Sequence, residues 1–108
     1  MDKRNPVARI VGEYRALLAK ILGEALESAV LYGSQARGDA VEGSDIDVLC
    51  VMRGPFDYGD LIKRTSDAAA RISLKYDVVI STAFVRSEDY QTRKTPFLMN
   101  VRKEGVAI

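Results

Sequence analysis

The sequence predicts an α/β (α+β) fold, a small mixed β-sheet of three or four strands packed against four to five helices. Helical and strand periodicities succeed one another in the order helix, strand, loop, strand, helix, strand, helices. The stretch between the second and third strands is long enough for a helical crossover, which would let those strands run parallel. The 108 residues fit one domain over residues 1–108, with no repeat, low-complexity tract or linker to divide it. A chain of this size buries roughly two-thirds of the surface it would expose unfolded.

Asn5-Pro6 opens the first helix, with Asn as N-cap and Pro at the first helical position, where its missing N–H costs nothing. Val7, Ile10, Val11, Tyr14, Leu17, Leu18, Ile21 and Leu22 then form one apolar stripe. Gly23 is the candidate C-cap, although Ala25 and Leu26 continue the stripe. Ala29 to Tyr32 is a short apolar run stopped by Gly33-Ser34 and reads as a buried strand. A polar loop from Gln35 to Ser44 follows, with a turn of helix at its start. Asp45 to Met52, apolar after two acids, is the second strand.

Arg53-Gly-Pro55 breaks the pattern, and Asp57 or Asp60 caps a helix at 59–74 with Leu61, Ile62, Ala68, Ala69 and Ile72 on one face. Tyr76 to Thr82 reads as the third strand, with Asp77 at its start. Ser87-Glu-Asp begins a short helix with acids in its first turn, where the helix dipole favours them. Thr95-Pro96 begins the last helix, and Gly105 ends it.

Composition narrows the chemistry. Sixteen Lys+Arg against fifteen Asp+Glu leave a net charge of +1, so no global field recruits a polyanion or an acidic membrane. There is no histidine and one cysteine, Cys50, which removes a Ser-His-Asp triad, a Cys-His pair, a His-bearing zinc site and a disulfide framework. The charged N-terminus and spaced apolar residues lack a signal h-region or a membrane span, so a cytoplasmic, reduced setting is expected.

One stretch, Leu31 to Val48, carries the candidate site. Alternate strand residues share a face, so Asp45 and Asp47 point the same way with Cα atoms roughly 6.5 Å apart. Two such acids at the head of an apolar strand repel each other unless a cation sits between them, and their oxygens suit Mg²⁺ completed by substrate phosphates. Gly33 removes the Cβ that would keep backbone from a phosphate, while Ser34 adds a hydroxyl donor. Gly33 and Gly38 carry P-loop spacing, but Asp39 stands where that motif needs Lys, which rejects it. With parallel second and third strands, Asp77 would join Asp45 and Asp47 at one sheet edge. Three carboxylates would then hold two cations and clamp an in-line phosphoryl or nucleotidyl transfer.

Gly33-Ser34, ten intervening residues and Asp45-x-Asp47 resemble the signature of the polymerase-beta-like nucleotidyltransferases, and the small size resembles their minimal (MNT) branch. The resemblance covers nearly the whole chain, including the closing Asn-Val-Arg-Lys-Glu-Gly-Val106 segment. It implies that Asp45 and Asp47 bind Mg²⁺ and that Gly33 and Ser34 hold the terminal phosphates of ATP; Arg37 and Ser44 are further candidate nucleotide-binding residues, and Asp77 a candidate third ligand for two ions. It also implies that Asp77 helps deprotonate an acceptor hydroxyl. Members of this branch are paired with a HEPN protein as antitoxin and toxin, and transfer AMP from ATP to a toxin tyrosine; that partner and acceptor are expected here by resemblance alone.

Plainer roles compete at other positions. Asp39, Glu42, Asp57, Asp60 and Asp67 read as loop or helix-surface acids, and Cys50, on the face opposite Asp47, as a small core residue. Arg37 reads equally as a phosphate contact or a surface cation. Arg93-Lys94 and Arg102-Lys103 read as solvated helix faces, which with the near-zero charge argues against direct nucleic-acid binding. Two other functions share the signature: a non-catalytic antitoxin that neutralises its partner by binding, and nucleotidyl transfer to a small molecule.

Overall fold

The computed structural model describes residues 6–41 and 43–108. Helix α1, Pro6–Leu22, buries Ile10, Val11, Tyr14, Leu18 and Leu22 along the expected stripe. Its proposed cap, Asn5, lies outside the described residues. At Gly23, φ of 57° turns the chain out of the helix, and a single 3₁₀ turn, Gly23–Ala25, leads into β1, Leu26–Tyr32. Leu26 therefore belongs to the first strand, not to the helical stripe. Strand β1 starts three residues before the apolar run because Leu26 and Ser28 pair with Met52 and Val51 across an irregular register.

A short helix α2, Ser34–Arg37, follows, then β2, Ile46–Met52, antiparallel to β1 with Tyr32 opposite Asp47. Helix α3, Tyr58–Tyr76, is capped by Asp57, whose carboxylate accepts from the Asp60 N–H at 2.9 Å. Its buried face is Leu61, Thr65, Ala68 and Ile72. Strand β3, Ile80–Arg86, lies parallel to β2 with Ser81 opposite Asp47. Helices α4, Ser87–Thr92, and α5, Pro96–Glu104, follow where the sequence places them, with the Thr95 hydroxyl capping α5. Strand β4, Val106–Ala107, pairs antiparallel with β1. The sheet is mixed, in the order β3-β2-β1-β4.

The expected third strand, Tyr76 to Thr82, is corrected to Ile80–Arg86. Helix α3 runs to Tyr76 because its last turn is tied to α1: Lys75 Nζ lies 2.5 Å from a Glu13 carboxylate oxygen, and the Tyr76 hydroxyl donates to the same carboxylate. Asp77 then takes the left-handed conformation (φ 54°, ψ 52°) as C-cap, its N–H donating to the Ser73 carbonyl. An alternating apolar pattern cannot show where such a tertiary tie ends a helix.

Residues on one sheet face, Ala29, Leu31, Ile46, Val48, Cys50 and Met52, pack on α1 and α3. Those on the other, Val30, Leu49 and Val51, pack on Leu98 and Val101 of α5. The Tyr14 hydroxyl, within the first layer, bonds Thr82 at 2.7 Å and joins α1 to β3. By alternation with Leu49, Asp47 belongs to the α5 face. Arg102 donates to the carbonyls of Tyr90 and Arg93, so this cation is used to close the α4–α5 turn. No helix among the described residues is long and apolar enough to cross a membrane.

Candidate active site

The head of β2 and the end of β1 build the site. Asp45 precedes β2 and is exposed, whereas Asp47, two residues on, is half-buried. Burial raises the Asp47 pKa most, the Asp45 charge raises it further, and Arg37 partly offsets both. The pair is thus a hard-oxygen donor set strained by its own charge, which suits a divalent cation such as Mg²⁺.

Gly33 adopts φ 75° and ψ −157°, a region essentially confined to glycine. A Cβ on it would stand 2.4 Å from Oδ2 of Asp47. The glycine is therefore required by the acid itself, in addition to any phosphate. Ser34 begins α2, where the N–H groups of Ala36 and Arg37 return to the Gly33 carbonyl at 3.1 Å each. Tyr32, opposite Asp47 in the sheet, has its hydroxyl pKa raised by burial first and then by the Asp47 charge.

A cavity of ≈ 230 Å³ opens beside these residues, lined by Tyr32, Gly33, Arg37, Phe97, Asn100, Val101 and Glu104. The rings of Tyr32 and Phe97 meet edge to face at 5.4 Å. Arg37 bonds Asp39 through Nε at 3.1 Å and Glu104 through a terminal nitrogen at 3.2 Å. Sequence reasoning found Gly33 and Arg37 but missed Tyr32, Phe97, Asn100 and Glu104. The latent signal was on α5, where residues 97, 100, 101 and 104 share one helical face. That face reads as an ordinary amphipathic one until the fold brings it over the end of β1.

Ser44 and Asp77 stand elsewhere. The Ser44 hydroxyl accepts from the Val41 N–H at 3.1 Å, and its N–H donates to the Val41 carbonyl at 3.0 Å, which shapes the loop before β2. Both Ser44 and Asp77 line a second cavity of ≈ 420 Å³, with Val7 and Ile10 of α1, Gln35, Val41 and Val79. The expected meeting of three carboxylates is corrected: among the described residues, no group of three His, Cys, Asp or Glu could hold a metal ion. The reason is the capping conformation of Asp77, which starts β3 at Ile80 and sets Ser81, not an acid, beside Asp47. Glu42 lies outside the described residues. Cys50 is fully buried, and burial pushes its thiol up to about 12 although Arg15 opposes the shift, which removes it as a nucleophile.

The chain matches the nucleotidyltransferase domain over residues 15–105. A protein of Methanocaldococcus jannaschii named as a candidate protein adenylyltransferase is 33% identical over 102 residues, 94% of this chain and 98% of its own length. A second from the same organism, similarly named, is 41% identical over 92 residues, 83% of this chain and 84% of its own. A crystal structure described as a toxin-antitoxin with AMP-PNP shares the fold, with TM-score 0.65 and 18% identity over 89% of this chain and 69% of that one. With the Gly33-Ser34 turn set against Asp45 and Asp47, these likenesses place the chain in the nucleotidyltransferase family, as an enzyme of that class.

Proposed function

We propose that the protein is a Mg²⁺-dependent adenylyltransferase that moves AMP from ATP to a hydroxyl of a partner protein, a tyrosine of a HEPN-type toxin, and so acts as its antitoxin in the cytoplasm. The observation that carries this reading is the packing of Asp47 against Gly33, which joins a carboxylate pair to a backbone turn without a Cβ. The adenylyltransferase names of the two relatives and the nucleotide analogue in the structural neighbour support it.

In this mechanism Asp45 and Asp47 hold the divalent ions, which when bound neutralise phosphate charge and ease departure of pyrophosphate. Gly33, Ser34 and Arg37 bind and orient the polyphosphate, and Ser44 fixes the loop that delivers Asp45. The acceptor oxygen attacks the α-phosphorus, its O–P bond forms as the bond to the bridging oxygen breaks, and pyrophosphate leaves. Asp77 takes the hydroxyl proton. Its support is the family resemblance and its place two residues ahead of Val79, whose carbonyl accepts the Ile46 N–H beside Asp45 at 2.9 Å.

Incubation with α-labelled ATP, Mg²⁺ and the product of the neighbouring gene should label that partner. Asp45→Asn with Asp47→Asn should abolish the label. A partner left unlabelled by the wild-type protein with Mg²⁺ present overturns the proposal, and protection from the toxin by the double variant would make binding the mechanism.

A further inference from the structure

Glu104 is an acid in the wall of the cavity that Arg37 and Gly33 also line, and its placement is fixed by the fold. It ends α5, and Gly105 follows with its N–H on the Val101 carbonyl at 2.7 Å. A Cβ at Gly105 would stand 2.5 Å from both Val30 Cγ1 and the Val101 carbonyl oxygen, so the helix end sits hard against β1. Immediately afterwards β4 pairs with β1, Val106 opposite Leu31 and Ala107 opposite Val30. Gly33 and Arg37 follow directly after this same end of the strand, which closes at Tyr32. Strand β1 therefore sets the distance between Glu104 and Arg37, residues 67 apart in sequence.

Arg37 has five N–H donors on a long, rotamer-rich side chain. Asp39 and Glu104 grip it from two sides, through Nε and one terminal nitrogen, and the remaining donors are left for a ligand. Both partners of the Arg37–Glu104 pair are partly exposed, at 42% and 33%, so the pair adds little to stability. Its consequence is orientation at the rim of the cavity that also contains Gly33.

We propose that Glu104 is a positioning residue for nucleotide binding: it holds the Arg37 guanidinium where the β- and γ-phosphates of ATP arrive. The inference rests on the assignment of Arg37 to the polyphosphate. The alternative, that Glu104 is a like charge competing with the phosphates, gives the opposite sign on substitution.

The test is calorimetric binding of AMP-PNP with Mg²⁺, and of AMP, to the full chain and its variants, together with kcat and KM for ATP. Arg37→Ala should weaken AMP-PNP at least about tenfold, the scale of a charge-assisted phosphate contact. Glu104→Ala should weaken it about three- to fivefold, the range of a partly exposed ion pair, and raise KM with kcat unchanged. Glu104→Gln keeps an acceptor for Arg37 and should restore wild-type affinity within about twofold. AMP affinity should not respond, and Glu104→Ala should add nothing in the Arg37→Ala background. Tighter AMP-PNP binding by Glu104→Gln, or additive losses in the double variant, overturns the positioning role. Wild-type affinity in Arg37→Ala instead overturns the assignment of Arg37 on which the inference rests.

Discussion

Substituting Gly33 by Ala adds one atom at the point where the backbone turn meets the Asp47 carboxylate. The new Cβ would lie 2.4 Å from Asp47 Oδ2, and the carboxylate must retreat by at least 0.6 Å to reach 3.0 Å, the shortest separation real Cβ atoms accept. Ordinary contact at 3.4 Å requires 1.0 Å. The backbone adds its own cost, since φ 75° with ψ −157° is worth about 1–3 kcal/mol against any residue with a Cβ. Steric overlap adds about 1–3 kcal/mol. Together these lower the melting temperature by roughly 10–25 °C in a domain of this size. A displacement near 1 Å at a catalytic group lowers turnover about a hundredfold. The assay is thermal unfolding by circular dichroism alongside labelled-AMP transfer. Gly38→Ala is the control, because Gly38 also has positive φ, 82°, but nothing within 4 Å of its Cβ position. It should lose only about 1–2 kcal/mol and keep its activity. Equal losses of activity in the two variants, or a Gly33→Ala protein with wild-type melting and transfer, would refute the packing argument.

Asp47→Asn should raise the melting temperature of the metal-free protein at neutral pH. The folded pKa of Asp47 is raised, by burial and then by Asp45, so its contribution to stability is present at acid pH and is lost as pH rises through that pKa. The gain should vanish near pH 4, and Mg²⁺ should stabilise the wild type but not the Asn variant, by about 2.7 kcal/mol at a hundred times its Kd. A pH-independent difference contradicts this. Asp77→Asn tests the two roles of that residue, since Asn tolerates the left-handed cap: melting should be unchanged while transfer falls about 10²- to 10⁴-fold. Wild-type transfer would leave Asp77 as a cap alone. Cys50, with its thiol pushed up to about 12, should resist alkylation at pH 8 in the native protein and react only on unfolding, and fast native labelling would contradict its burial.

The sequence by itself determined the elements whose signals are local. Apolar stripes placed α1 and α3, Thr95-Pro96 and Gly105 bounded α5, and the Gly33-Ser34 and Asp45-x-Asp47 spacing pointed to the family and marked a candidate site. Strand alternation and a helical crossover sufficed to make the sheet mixed, because chain connectivity restricts how such strands can pair. Tertiary structure decided what depends on partners distant in the chain. Glu13 on α1 carried α3 through Tyr76, turned Asp77 into a cap and moved β3 by several residues, so the third carboxylate was not set beside the other two. Pairing of β4 with β1 brought Phe97, Asn100 and Glu104 over Gly33 and built a cavity wall from a helix face with no motif of its own. A motif records chemistry that is close along the chain, whereas a cavity wall and a strand's true start are set by packing between elements that sequence order keeps apart.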